Sequence, residues 1–298
     1  MELIQREFTV GDNWIYYKIY TGNKTSDLIL TDLILPLTNS LERRGLIQKW
    51  FFIRYSDPDF HLRVRLYTEN KSNIGEIIHT FFNGLQPYLI SGRIWNIQID
   101  TYKREIERYG NSNMVNSENY FHIESKTIVK FLTLIEGDAG EEIRWLFSLK
   151  MIDNFLNSFK MEDEKKFFLL NIMKTSFAKE FNMSRELKKQ LDVKYRKERK
   201  KIDSFLEEDD FRYKEITSLL KEKELLTIEF AKNILNLEKE MLLEVKLESL
   251  IYSYVHMLMN RLFKSKNRIY EMVIYDFLYR YYKSHIARKK QRVKEVVL

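Results

Sequence analysis

The stretch from Trp50 to Leu66, WFFIRYSDPDFHLRVRL, constrains the fold more than any other part of the chain. It divides into two extended runs, 50–55 and 61–67, separated by Ser56-Asp57-Pro58-Asp59. The Asp and Pro of that linker favour a turn, and its proline cannot donate to a ladder, so the stretch predicts a β-hairpin. In the second run, alternation sends Leu62, Val64 and Leu66 to one face and His61, Arg63, Arg65 and Tyr67 to the other. The first face belongs against a core. The second holds two guanidinium groups two residues apart on a rigid element, an arrangement suited to bidentate capture of carboxylates or phosphates. The same alternation also describes the solvated face of an ordinary antiparallel strand.

Around this hairpin, only 3 prolines and 9 glycines interrupt 298 residues of which 44% are hydrophobic, so long helices should dominate and a substantial core can form. Residues 14–20 (WIYYKIY) read as a first strand and 93–102 (RIWNIQIDTY) as another, with Trp95, Ile97 and Ile99 on one face. A helix is expected over 25–44, kinked or interrupted at Pro36 and ended at Gly45. A second is expected over 74–89, burying Ile77, Ile78, Phe81, Phe82 and Leu85. From about residue 119 onward the pattern is almost wholly helical, with a break expected at Gly137-Asp138-Ala139-Gly140 and a solvated, charge-laden helix over 184–205. The expected fold class is α+β: antiparallel strands in the N-terminal third and a mainly α-helical remainder. No linker or repeat marks a boundary, so residues 1–298 read as a single domain.

Cysteine is absent, which removes disulfides, thiolate nucleophiles and cysteine metal sites. No zinc spacing, phosphate-binding loop, dinucleotide fingerprint or nucleophile elbow occurs, and no cofactor is expected. No run approaches the roughly twenty apolar residues of a membrane helix, and the start MELIQREFTV lacks a signal-peptide pattern. The expected location is the cytoplasm. Residues 283–298 carry +5 of the net charge of +7, leaving the body nearly balanced. That tail suits a solvated helix end, with an RNA contact as the weaker alternative.

Two further segments bear candidate chemistry. In KREIERYG, residues 103–110, Glu105 and Arg108 lie three apart before a glycine, which alone reads as a surface loop with a local ion pair. In residues 244–264, Ser249, Ser253, His256 and Asn260 share one face of an otherwise apolar helix. Such a stripe is either an internal hydrogen-bond network or the wall of a cavity. A closing helix is expected over 269–288, with Tyr275, Leu278, Tyr279 and Tyr282 in the core.

Taken in order, W-F-F-I-R-Y-x-D-P-x-x-H-L-R-x-R, Y-x-x-E-x-x-R-Y-G and S-x-x-H-M-x-x-N-R-L, followed by Arg268 and Glu271, resemble the C-terminal domain of lantibiotic dehydratases. That domain also occurs as free-standing thiopeptide-type bacteriocin biosynthesis proteins. The usual second glycine of the middle motif is Asn111 here, a mild departure because Asn tolerates left-handed backbone. The resemblance implies an enzyme that removes glutamate from a glutamylated Ser or Thr of a ribosomally made precursor peptide, leaving dehydroalanine or dehydrobutyrine. It assigns carboxylate and enolate stabilisation to Arg63, Arg65 and Arg108, the orientation of an arginine to Glu105, and general acid/base work to His256. Arg54, His61, Tyr109, Asn260 and Arg261 are the accompanying candidates for substrate binding. As partners it implies the glutamylated precursor and a separate tRNA-dependent glutamylation protein, with no direct nucleic-acid contact by this chain and room for a homodimer. Two rivals remain: a pyridine synthase of the same superfamily, catalysing a formal [4+2] cycloaddition, and a non-catalytic precursor-binding subunit.

Overall fold

The computed structural model describes residues 4–207 and 213–297; Leu298, the end of the basic tail, lies outside them. Two compact units emerge. The first comprises residues 1–135 and 225–265, the second 136–224 and 266–298, with one boundary falling inside a helix at Glu224/Leu225.

The first unit is built on a four-stranded antiparallel sheet of order β3-β4-β2-β5. Its strands are β2 (Trp14–Thr21), β3 (Lys49–Ser56), β4 (Phe60–Tyr67) and β5 (Ile94–Asp100), while β1 (Glu7–Phe8) and β6 (Tyr102–Lys103) form a separate two-stranded pair. β3 and β4 are the expected hairpin, in register Phe51↔Arg65, Ile53↔Arg63 and Tyr55↔His61, with a cis Asp57–Pro58 peptide in the turn. β2, made of aromatic and β-branched residues, is buried almost throughout, as a central strand requires.

Helices cover the sheet face that carries Tyr17, Leu62 and Val64. α3 (Ile74–Ile90) stacks Phe81 on Tyr17, ring centroids 5.0 Å apart. Its buried stripe is Ile74, Ile77, Phe81 and Leu85; Phe82 is 53% exposed, so the apolar face is narrower than its periodicity suggested. α1 (Thr25–Leu28), a π-helical turn (Ile29–Ile34) and α2 (Leu35–Arg43) form one continuous run. Pro36 falls in the first turn of α2, where the run passes from π to α hydrogen bonding and the Leu35 N–H reaches back five residues to Leu30, so the expected interruption takes the form of a change in helical pattern. The run ends as expected, with Gly45 at φ +69° and the Leu46 N–H bonded to the Leu41 carbonyl at 2.9 Å.

β3 is an edge strand, and its outward backbone groups are met by side chains. His122 Nδ1 lies 3.2 Å from Trp50 N and 3.0 Å from Trp50 O, and Ser125 Oγ accepts from Phe52 N at 3.2 Å. Both residues belong to α5 (Met114–Leu132). From α10 (Leu247–Leu262), Arg261 Nε donates to Phe52 O at 2.9 Å, and the Asn260 amide pairs with both backbone groups of Arg54. An exposed edge invites pairing with another chain; here two helices stitch it shut.

The second unit is helical. It contains α6 (Gly137–Ser158), α7 (Asp163–Glu180), α8 (Arg185–Glu207), the first part of α9 (Lys214–Lys239) and α11 (Asn267–Val297). The break before α6 falls at residues 133–136; residues 137–140 form the helix's first turn instead of the loop expected there. α11 packs along α7, with Tyr275, Leu278 and Tyr282 buried and Tyr279 half-buried. Lys166 is buried here and satisfied by Asp153 at 3.0 Å, by Asn157 and by the Tyr282 hydroxyl at 2.9 Å. Among the described residues no helix is long and apolar enough to cross a membrane.

Candidate functional site

The other face of the sheet, where Phe121 of α5 and Tyr102 pack on Phe51, carries the candidate chemistry. Arg63 and Arg65 on β4 pair laterally with Lys18 and Tyr16 of β2, so the alternation read from the hairpin places both guanidinium groups on one face. Arg65 is 8% exposed and wedged among aromatic rings, its guanidinium carbon 4.5 Å from the Tyr16 centroid, 5.2 Å from Phe51 and 4.9 Å from Tyr102. Ring faces attract the cation but accept no conventional hydrogen bond from it. Among the described residues Arg65 Nε has no acceptor, and burial lowers the pKa of the group from its ordinary value. Arg63 lies 3.4 Å over the Tyr55 ring and donates from Nε to His61 Nε2 at 3.1 Å. His61 is enclosed, its Nδ1 2.8 Å from Asp59 O, and desolvation pushes its pKa down.

The segment after β6 folds back as a short helix, α4 (Ile106–Tyr109). It is anchored by Arg104, whose fork grips the fully buried Glu118 through Nε–Oε1 and Nη2–Oε2, each 2.7 Å. Glu105 and Arg108 form the expected pair at 3.0 Å, both more than a third exposed, and Gly110 turns the chain at φ +78°.

These elements meet at a cavity of about 30 Å³ whose walls include Arg65, Tyr102, Glu105, Tyr109, Met257 and Arg261. Arg261 is fully buried; Nη1 binds Glu124 Oε2 at 2.5 Å, the guanidinium lies 4.8 Å from the Phe121 centroid, and Nη2 has no acceptor among the described residues. Buried donors are normally satisfied. Arg65 and Arg261 thus bring two buried guanidinium groups, each with a nitrogen lacking an acceptor among the described residues, to a cavity they share with Glu105.

Of the residues singled out in the sequence, Arg65, Glu105, Tyr109 and Arg261 line this cavity, Arg63 and His61 share its sheet face, and Arg108 pairs with Glu105. His256 is half-buried on α10, one position before the cavity-lining Met257 and one turn before Asn260. The structure does not bring Arg54 to the cavity. It pairs with Leu62, which puts it on the opposite face, where it is buried and bonded to Asp27 at 2.6 Å and to the Arg261 carbonyl at 2.9 Å. Asn260 is engaged with the Arg54 backbone. Sequence reading missed Lys18, Tyr16 and Asp100, which register alone brings onto the same face as Arg63 and Arg65.

An antiparallel sheet with two helices sealing its β3 edge thus carries, beside that edge, a cavity lined by Arg65, Arg261 and Glu105, which is the candidate site. Comparison with known proteins shows the family. Residues 14–282 match the model of the lantibiotic biosynthesis dehydratase C-terminal family, and the chain belongs to that family. It is 27% identical over 179 residues to the nisin biosynthesis protein NisB of Lactococcus lactis subsp. lactis and 24% identical over 186 residues to the subtilin biosynthesis protein SpaB of Bacillus subtilis. Each alignment covers 59% of this chain but only 17% of the relative. Among solved structures, the tRNA-dependent lantibiotic dehydratase MibB from Microbispora sp. 107891 has the same fold over 95% of this chain and 29% of its own, with a TM-score of 0.72 at 18% identity. TsrL matches over 92% of this chain and 95% of its own (TM-score 0.67, 12% identity), and the pyridine synthase TbtD from thiomuracin biosynthesis over 91% and 99% (TM-score 0.66, 10% identity).

Proposed function

We propose that this protein is a glutamate-eliminating lyase, acting on glutamylated Ser or Thr residues of a ribosomally made precursor peptide. The observation that carries this reading is the pair of buried guanidinium groups, Arg65 and Arg261, which line a cavity shared with Glu105 and each keep a nitrogen without an acceptor among the described residues. Elimination removes the Cα proton of the modified residue; its electron pair forms the Cα=Cβ bond as the Cβ–O bond breaks, and glutamate leaves as a carboxylate. A peptide Cα–H is only weakly acidic, so the step requires a base and cations that meet the developing enolate. In this reading Arg63, Arg65 and Arg108 stabilise the enolate and the departing carboxylate. Glu105 orients Arg108 across their 3.0 Å contact. His256 moves the proton, and Arg261 and Tyr109 complete the cavity wall.

A separate protein supplies the glutamyl group from charged tRNA, in the cytoplasm, and the two units of this chain work as one functional domain, a reading supported by the family match across both. The test is mass spectrometry of a glutamyl-Ser/Thr peptide incubated with the wild-type protein and with His256→Ala and Arg65→Ala. Loss of glutamate with appearance of a dehydrated residue in the wild type alone supports the reading. Persistence of the glutamylated mass with folded wild-type protein overturns it. The alternative, formal [4+2] cyclisation of an already dehydrated peptide, is favoured by the fold match to nearly all of TbtD; a cyclised product from a bis-dehydroalanine peptide would establish it instead.

A further inference from the structure

β2 and β5 add a second set of charges to the face that holds Arg63 and Arg65. Register aligns Arg65, Tyr16 and Asp100 across three strands, and Arg63, Lys18 and Gln98 in the adjoining row. Diagonally between the rows, Lys18 Nζ meets Asp100 Oδ2 at 2.5 Å, with the Lys18 side chain 20% and the Asp100 side chain 43% exposed. Their mutual hydrogen bond holds the Asp100 carboxyl below its ordinary pKa and the Lys18 ammonium above its own. Tyr16, whose hydroxyl pKa burial raises, feels the charges of Arg65, Arg63, Lys18 and Asp100, its neighbours on the same sheet face.

As a scaffold element this pair has little to do. A partly exposed cross-strand ion pair contributes little to stability, and β2 is already held by β4 on one side and β5 on the other. As a reader of a ligand it has a specific use. Arg63 and Arg65 have no carboxylate partner among the described residues, and cations alone accept any anion. A glutamyl group delivered from charged tRNA is esterified through its α-carboxyl, so it presents one ammonium and one free side-chain carboxylate. Lys18 and Asp100 are a complementary pair of charges, one and two strands away from the arginines, able to exchange each other for the two ends of that zwitterion.

We propose that the Lys18–Asp100 pair reads the two free charges of the glutamyl group, Asp100 receiving the ammonium and Lys18, beside Arg63, the side-chain carboxylate. The inference rests on the elimination reading above and adds the determinant of its acyl-group specificity.

The experiment uses three synthetic peptides carrying glutamyl, N-acetylglutamyl or glutaminyl esters on one Ser, with kcat/KM for elimination followed by mass spectrometry. The full chain is assayed as wild type, Asp100→Asn and Lys18→Gln, and circular dichroism verifies each fold. The wild type should prefer the glutamyl peptide over either analogue by about tenfold or more, the scale of one charge-assisted hydrogen bond. Asp100→Asn should erase the preference over the N-acetylglutamyl peptide, and Lys18→Gln the preference over the glutaminyl peptide. Equal losses on all three peptides, or unchanged preferences in both variants, overturn the inference while leaving elimination standing. A folded wild type that turns over none of the three defeats the elimination reading, and the inference with it.

Discussion

The side-chain amide of Asn260 replaces a missing β-strand: its Oδ1 accepts from Arg54 N at 3.0 Å and its Nδ2 donates to Arg54 O at 2.8 Å. A polar residue in the family's late motif thus closes the edge of the sheet whose other face carries the candidate site. Asn260→Ala leaves both backbone groups without their partner, and each unmet group costs about 1–3 kcal/mol when water cannot reach it. The variant should unfold at lower urea concentration than wild type; an unchanged midpoint would show that water replaces the amide.

Arg261 and Glu124 are both fully buried and in contact, so removing either alone strands a charge. Arg261→Met should cost about 3–5 kcal/mol, and the double variant Arg261→Met/Glu124→Leu should recover much of it. A double-mutant cycle by chemical denaturation checks this, and additive losses would rule out coupling. Activity should not return in the double variant, because the guanidinium group that lines the cavity beside Arg65 is gone.

Gly110 sits at φ +78°, and a Cβ added there would lie 2.5 Å from Glu244 Oε2. Gly110→Ala should therefore destabilise the protein by about 1–3 kcal/mol and displace α4. Because Glu105 and Arg108 belong to this segment, elimination should fall alongside the thermal midpoint; full activity would show that the site tolerates the shift.

Burial lowers the pKa of both His61 and His122 below the ordinary histidine value. The unfolded chain therefore takes up protons first as pH falls, so stability contributed by the two neutral rings is present above the unfolded-state pKa, near 6.5, and drains away below it. Urea midpoints measured between pH 8 and pH 5 should decline on the acid side, and His61→Gln should flatten the slope. A slope identical to wild type would mean that His61 does not titrate differently in the two states.

Arg65 stands among three rings with an unmet Nε. Lysine keeps the charge but loses the planar fork, so Arg65→Lys should not rescue Arg65→Ala; both should lose about 100-fold or more in turnover. Near-wild-type rates for the lysine variant, read by mass spectrometry, would reduce the residue's role to charge alone.

Much of the site's scaffold is legible locally. Alternation over 61–67 predicts which face holds Arg63 and Arg65, and Asp57-Pro58 predicts the turn. Glu105, Arg108 and Gly110 predict the ion pair and the chain reversal, because each depends on residues a few positions apart. Phe82 departs from the sequence pattern: it lies on the apolar face of α3 yet is 53% exposed. Helical periodicity identifies a face without measuring how much of it neighbouring elements cover.

What the chain determines by itself is the period of each element, the turns, and the order of its three motifs. Tertiary structure decides the rest. Hairpin register sends Arg54 to the face opposite Arg63 and Arg65 and, 206 residues along, gives it Asn260 as a partner. Cross-strand register, not sequence proximity, brings Lys18 and Asp100 beside the arginines. How far each guanidinium group is satisfied follows from which carboxylates fold into reach: Glu118 takes both ends of the Arg104 fork, Glu124 takes one nitrogen of Arg261 and leaves Nη2 over, and Arg65 lies among rings with its Nε unmet. Hydrogen bonds act over about 3 Å, so which donors are left for a ligand is settled only when segments far apart in sequence have packed together.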